Sequence, residues 1–576
     1  MDKRQVAGAL EEIALLLEIA GENRFKTRAY VTAARAIESL DRDIDEVVAK
    51  DELLTIPGVG KTIEGKIKTL VTTGRLPYLE ELRERVPLGL RDLMRVPGLG
   101  PKRVRELYEK LGIKSLEGLE YLVESGALKE MRGYGETLQR KIREGIAVAK
   151  SLSDRFLLSD AMRQGHAVHE DIARHPAVIR SALAGSLRRS AETVGDIDLV
   201  VATSDAAAVM QAFVGLPQVR EVLVQGETKS AVRLSGGVQV DLRCVSDAQY
   251  PYLLHHSTGS KEHNVALRAR AITRGLKINE YGLWRGDELV PCADETEFFQ
   301  ALGLAYIPPE LRENCGEIEA AERGELPRLL EQGDLQGVLH NHTLDSDGRG
   351  TVRDMVIAAR ERGHRYIGFT DHSLTASFAN GMSLDEVRRQ REEIERLRQE
   401  FPDMGILQGT ECDILPDGSL DFPDDVLASF DFVIGSVHSR FGMEEDEMTA
   451  RVLRALRNPF LDVLGHPKGR LLLAREGYRI DMRAVIEVAL EQDVAIEINA
   501  NPHRLDLDWR HARPFLERGG WVSINPDAHR TTGLDDVRYG VAIARKAWAT
   551  RERVLNALPF DALRARFRSR REKLAS

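Results

Sequence analysis

Four cysteines in 576 residues, Cys244, Cys292, Cys315 and Cys412, stand far apart and form no CxxC pair. That scarcity excludes a disulfide framework and a cysteine-ligated zinc site, so reduced, mostly structural thiols are expected. The chain also lacks any uncharged apolar run of about 18 residues. Its first segment, MDKRQVAGALEEIALLLEIAGENRF, carries charges at helical spacing where a secretory leader would be apolar. No membrane span is expected, and the expected location is the cytoplasm. A basic excess is missing too. The net charge of −10 argues against polyanion binding by bulk charge, so any nucleic-acid contact must be local. Histidine is absent from the first 165 residues, and all 15 lie beyond them.

The length exceeds what one core fills, and about three or four domains are expected. Residues 1 to about 150 place apolar side chains at three and four spacing, which predicts helices. Within them, LLTIPGVGKTIEGKI (53–67) and LMRVPGLGPKRVREL (93–107) repeat one pattern, with a weaker echo in EMRGYGETLQRKI (130–142). Gly58, Gly60, Gly98 and Gly100 permit a tight turn that exposes N–H groups at the start of the next helix. Such a turn holds a phosphate without reading bases, and Lys61, Lys102 and Arg103 add charge.

From about residue 178 the pattern changes to short β-rich runs between helices, as in an α/β or α+β core. AGSLRRSAETVGDIDLVVAT (184–203) sets Gly185 and Ser186 in a turn and Asp196 and Asp198 on one face of the next strand. Asp241, in VQVDLRCV, lies on a strand able to pair beside them. Three carboxylates without histidine suit magnesium, which shares its oxygen ligands with substrate phosphates.

The acidic stretch PPELRENCGEIEAAERGELPRLLEQGD (308–334) reads as a linker. After it, apolar strands alternate with amphipathic helices over about 235 residues, the pattern of a parallel barrel whose chemistry sits at strand C-termini. Those strand ends carry His340 and His342, His372, Glu411, His438, His466, and Asp527 with His529, while Asp347 follows the first strand. A lone histidine there is ordinarily a capping or core residue. Six histidines and three carboxylates on successive strand ends fit two or three metal ions instead. Arg470 and Arg504 follow two of these strands and suit a phosphate clamp. Asp345 reads as a loop residue behind the ligands.

HNHTLDSDG, TDHS, GTECDI, GSVHS, GHPKGR, EINANPHRLD and INPDAH together resemble the polymerase and histidinol phosphatase (PHP) family. The resemblance implies a distorted (β/α)7 TIM-like barrel over residues 335–570 that hydrolyses phosphoesters with up to three zinc or manganese ions. By it, His340, His342, Glu411 and Asp527 hold one ion. Glu411, His438 and His466 hold a second, and Asp347, His372 and His529 a third.

The residues before about 312 resemble the family X DNA polymerases. The resemblance implies a helical 8-kDa-like DNA-binding domain (1–85) with a helix-hairpin-helix, and fingers (86–150) with a second. A nucleotidyltransferase palm (151–245), a thumb (246–312) and a linker (313–334) follow. It makes Asp196, Asp198 and Asp241 the ligands of two magnesium or manganese ions. Gly185, Ser186 and Arg189 would bind the incoming deoxynucleoside triphosphate, and Thr258, Gly259 and Asn264 of STGSKEHN would contact it. Lys66 matches a lysine that forms a Schiff base with abasic sugars, and Lys26 a phosphate-binding lysine. Thr62 stands where a second lysine of that site would be. His256 and Ser257 replace an aromatic pair that screens the sugar 2′-position, and Lys261 replaces an acid, departures that bear on sugar discrimination and fidelity. A monovalent cation at the hairpins is a further expectation.

Both families in this order resemble the bacterial PolX enzymes. The expectation is a monomeric polymerase filling short gaps in gapped or nicked DNA during base-excision repair. The barrel is expected to supply 3′-5′ exonuclease, with abasic-site endonuclease or 3′-phosphatase activity beside it. The competing expectations are a DNA-end phosphoesterase whose first half only binds DNA, and a small-molecule phosphatase of the histidinol phosphate type.

Overall fold

The computed structural model describes residues 3–38, 44–73, 76–87, 89–94, 96, 99–126, 128, 134–150, 155–376, 379–473 and 475–575. The chain divides near residue 153 into two compact units. The first unit is helical, as the spacing predicts. Leu10, Ile13, Leu17, Ala33, Ile37, Val47, Ile67 and Leu107 belong to one buried apolar cluster that runs through both hairpin regions. One apolar cluster therefore spans the position of the expected boundary at residue 85. Gly58 has φ +85, and a Cβ there would lie 2.7 Å from the Ala33 nitrogen, so only glycine lets the turn approach the neighbouring helix Arg24–Glu38 so closely. Gly60 caps helix Lys61–Thr73 by accepting from Ile63 and Glu64, and Gly100 does the same for Pro101–Leu111 through Arg103 and Val104. Gly98 and residues 130–133 of the third echo lie outside the described residues.

The second unit contains two sheets that carry candidate chemistry. A five-stranded mixed sheet runs in the order Val178–Leu183, Asp196–Thr203, Gln239–Val245, Lys229–Leu234, Val219–Gln225. Its central pair is parallel and in register at Asp198 and Asp241. Helices Tyr250–Thr258 and Lys261–Thr273 and a small antiparallel sheet over 277–289 follow. Beyond residue 334 lie seven parallel strands in sequential order, each pair parallel, as the alternating pattern predicts. A parallel bridge between Asn341 and Ala528 joins the first and last strands at the end where the histidines gather.

The stretch 308–334 departs from the linker expectation. Helix Glu317–Arg323 buries Ile318 and Ala321 in an apolar cluster with Phe298, Phe299 and Leu311, and Leu329 joins the same cluster. Three of its less exposed acids have basic partners: Glu310 with Arg545, Glu313 with Lys546, and buried Glu317 with His263, while Glu319, Glu322, Glu325 and Glu331 stay exposed. Acidic composition suggests a solvated segment, but in the fold these three acids are buried or half-buried against basic side chains. All four cysteines are free, and three are buried. No described helix is long and apolar enough to cross a membrane.

Candidate active sites

The barrel strands deliver the nine expected ligand side chains to one place. Glu411, on the third barrel strand Gly405–Asp413, is the hub. Its carboxylate oxygens lie 2.7 Å from His466 Nε2, 3.2 Å from His438 Nε2, 3.2 Å from His372 Nδ1, 3.3 Å from His340 Nε2 and 3.6 Å from His342 Nε2. Asp527 Oδ1 approaches His342 Nε2 at 3.2 Å and His340 Nε2 at 3.7 Å, and Asp347 Oδ2 approaches His529 at 3.2 Å and His372 at 3.7 Å.

Among the described residues, three groups are compact enough to hold an ion: His342, Asp347, His372 and His529; His340, His342 and Asp527; and His372, Glu411 and His438. These overlap the expected triads, with His342 and His372 each shared between two groups and His466 attached through Glu411. Both ring nitrogens of His342 and Oδ1 of Asp347 are buried without a well-formed hydrogen bond among the described residues. Buried polar atoms left this way fit cation ligands, since in a purely structural cluster they would cost free energy. Burial resists charge on His438, but Glu411 and Asp413 together raise it to about 10, while burial pushes His372 down to about 3.

Behind these ligands stand residues that the motif reading did not assign. Glu497 accepts from His340 Nδ1 at 2.7 Å and from the His466 backbone N–H at 2.7 Å, and Asp413 meets His438 Nδ1 at 2.6 Å. Such partners set the tautomer and aim of a ligating ring. Asp371 accepts from the Thr343 N–H, Ser346 Oγ and Gln390 Nε2, while Asp345 accepts from Gln390 at 2.9 Å, as a loop residue behind the ligands would. Arg504 Nε lies 3.3 Å from Asp527 Oδ2, at the ligand cluster. Arg470 does not join it. Its guanidinium is spent on Glu192 at 2.6 Å and on the carbonyls of Arg504 and Leu505, because an acid of the five-stranded domain sits where the loop was expected to face phosphate.

In the five-stranded sheet, Asp196 and Asp198 start one strand and Asp241 sits beside Asp198. Burial, then the charges of Asp196 and Asp241, raise Asp198 to about 7. A carboxylate crowded in this way is relieved by a bound divalent cation. Asp241 accepts from Gln239 Nε2 at 2.7 Å and pairs with Lys229 Nζ at 2.9 Å. Gly185, at φ +61, abuts the acids so closely that a Cβ would lie 2.1 Å from Asp198 Oδ2.

Thr258 differs from expectation. The residue is fully buried: its side chain donates to the Leu254 carbonyl at 2.6 Å and accepts from Arg188 at 2.7 Å, and its carbonyl accepts from Arg189 Nη1 at 2.6 Å. Asn264 donates to the His256 carbonyl at 2.9 Å, and with His256, Arg268, Asn279 and Glu280 it lines a pocket.

In the helical unit, Lys66 Nζ lies 3.1 Å from the centre of the Tyr78 ring and donates to the Tyr30 hydroxyl. Burial, with the nearby Lys26 charge, lowers it to about 8. Lys61 and Lys102 are exposed at the hairpins.

Comparison with known proteins agrees with this arrangement. Residues 1–76 match a helix-hairpin-helix domain, 90–147 a SAM-like helix-hairpin-helix tandem, 253–313 the DNA polymerase beta thumb and 339–501 the PHP domain. A palm and thumb preceded by helix-hairpin-helix elements and followed by a PHP barrel define a family X DNA polymerase that carries its own phosphoesterase domain. The DNA polymerase/3′-5′ exonuclease PolX of Bacillus subtilis (strain 168) is 39% identical over 97% of this chain and 98% of its own length. The chain belongs to the PolX family. DNA polymerase lambda of Rattus norvegicus is 24% identical over 53% of the chain and 55% of its own length. A probable phosphatase of Thermoanaerobacter sp. (strain X514) is 27% identical over 38% of the chain and 88% of its own length.

Proposed function

We propose that this enzyme, a DNA polymerase and 3′-5′ exonuclease, fills short gaps in DNA during base-excision repair and trims 3′-ends in its barrel. The observation that carries the reading is the presence in one unit of two separate acid-rich sites. One has carboxylates only, in register at Asp198 and Asp241, and the other is a histidine cluster around Glu411. Asp196, Asp198 and Asp241 would hold magnesium or manganese, and the nine barrel ligands up to three zinc or manganese ions. Bound there, the cations supply the Lewis acidity that lowers the pKa of the attacking oxygen and neutralises the transferred phosphate.

The chain's own residues do the rest. The Gly185 and Ser186 turn and Arg189 hold the triphosphate, and Gly259 and Asn264 bound the nucleotide. Glu497 and Asp413 keep the ring nitrogens of His340 and His438 oriented. Arg504 would receive the phosphate. The hairpins at Gly58–Lys61 and Gly100–Lys102 would grip the DNA backbone without reading sequence, with a monovalent cation completing their carbonyl turns.

Separate substitution tests the assignment. Asp196→Ala should lower gap filling at least about a hundredfold and leave 3′-end removal intact, and His340→Ala should do the reverse. Extension unchanged in Asp196→Ala would refute the polymerase site.

A second activity is favoured by the environment of Lys66. A lysine amine packed against Tyr78 and lowered to about 8 is a nucleophile suited to an abasic sugar aldehyde, with Lys26 beside it for the 5′-phosphate.

A further inference from the structure

The turn between Gly185 and Asp196 is held from outside the five-stranded domain. Lys546, on the barrel helix Val537–Lys546, is 3% exposed. Its Nζ donates to the Arg189 carbonyl at 2.9 Å, to Glu313 Oε1 at 2.6 Å and, at 3.5 Å, to the Glu310 carbonyl. The same Glu313 oxygen accepts from Arg189 Nε at 3.2 Å, and Arg189 Nη1 donates to the Thr258 carbonyl at 2.6 Å. Three residues on, Glu192 is gripped by Arg470 at 2.6 Å and approached by Arg510 at 3.5 Å, both from the barrel domain. Between these two anchors Ser190 stands at φ 54, a left-handed conformation that a non-glycine residue keeps only when its surroundings impose it.

We propose that the phosphoesterase domain is a working part of the polymerase site: Lys546 is a positioning residue that, through Glu313 and the Arg189 carbonyl, aims the Arg189 guanidinium at the incoming triphosphate. A buried ammonium needs acceptors on every side, so a lysine spent on two backbone carbonyls and one carboxylate fixes all three. Glu313 in turn has one oxygen shared by Lys546 and Arg189, which ties the direction of the arginine to the position of the lysine. The cation that sets the nucleotide-binding turn therefore comes from the domain that cuts DNA, and the stretch read from sequence as a linker supplies the acid between them. Extension and 3′-end removal are then joined by structure as well as by chain continuity.

This inference rests on Arg189 binding the triphosphate, and the test separates the two. In the full-length chain, steady-state gap filling and 3′-end removal on a single-stranded oligonucleotide are measured for Lys546→Met, Lys546→Arg, Glu313→Gln and Arg189→Ala, with melting curves for each. Lys546→Met is expected to raise KM for the deoxynucleoside triphosphate about tenfold, with a smaller change in kcat and unchanged 3′-end removal. Lys546→Arg should recover most of the loss. Glu313→Gln should raise KM in the same direction, and it decides the matter if Lys546→Met fails to fold. An unchanged KM in Lys546→Met or Glu313→Gln, or a parallel fall in both activities with the melting temperature, would overturn the proposal while Arg189→Ala still raises KM. An unchanged KM in Arg189→Ala would overturn the nucleotide-binding reading itself.

Discussion

Lys66 shows how much one environment changes a side chain. An ordinary lysine is almost wholly protonated at neutral pH, whereas one held near 8 by burial against Tyr78 is about a quarter neutral at pH 7.5. Only the free amine attacks an aldehyde, so reactivity should rise with pH through 8 and level off above it. Borohydride trapping of an incised abasic DNA from pH 6.5 to 9.5 should follow that curve and vanish in Lys66→Ala. A flat profile, or adducts surviving the substitution, would remove Lys66 from the role. The lysine itself is picked out by the resemblance of its segment to the family X polymerases. Its lowered pKa is not, because Tyr30 and Tyr78 lie 36 residues before and 12 after it, and nothing local says that they converge.

At the scale of elements, alternation along a strand is the most informative signal in the chain and also the one that misleads by incompleteness. It identifies His340 with His342, Asp196 with Asp198, and Asp527 with His529 as pairs sharing a face. The same spacing relates Glu411 to Asp413, yet one is the hub of the histidine cluster and the other stands behind His438. Which of two acids reaches the ions depends on the neighbouring strands, so the period alone assigns no role. Asp413→Asn should weaken metal retention in the barrel about 10–100-fold in a chelator competition, with 3′-end removal falling and gap filling preserved. Retention equal to that of the unchanged protein would mean that His438 is oriented by something else. The hairpin turns are read more fully, since Gly58 needs glycine for φ and for its approach to Ala33.

For the whole molecule, the two candidate centres should respond separately to their cations. Binding to the folded state alone stabilises it by about 2.7 kcal/mol at a hundredfold excess over Kd. A chelator should therefore lower the melting temperature, and zinc or manganese should restore both it and 3′-end removal. Magnesium alone should restore gap filling. Recovery of both activities by magnesium alone would contradict a histidine-selected centre in the barrel. The acidic stretch 308–334 is where the reading from sequence failed at this scale. Charge and proline suggest a solvated tether, but Arg545, Lys546 and His263 meet three of its acids in the fold.

Sequence alone determined the two chemistries, because metal-ligand types at strand spacing and glycines at phosphate-binding turns are local facts that survive without coordinates. It determined the seven-stranded order as well, since each strand and helix follows the last. Tertiary structure decided which atoms touch. It made Glu411 the common neighbour of five histidines, turned Arg470 from a phosphate clamp into a partner of Glu192, buried Thr258, and set Lys546 against the Arg189 carbonyl. The reason is that a long side chain's partner is chosen by whichever charge lies nearest after folding, and Arg189 and Lys546 are separated by 357 residues of chain.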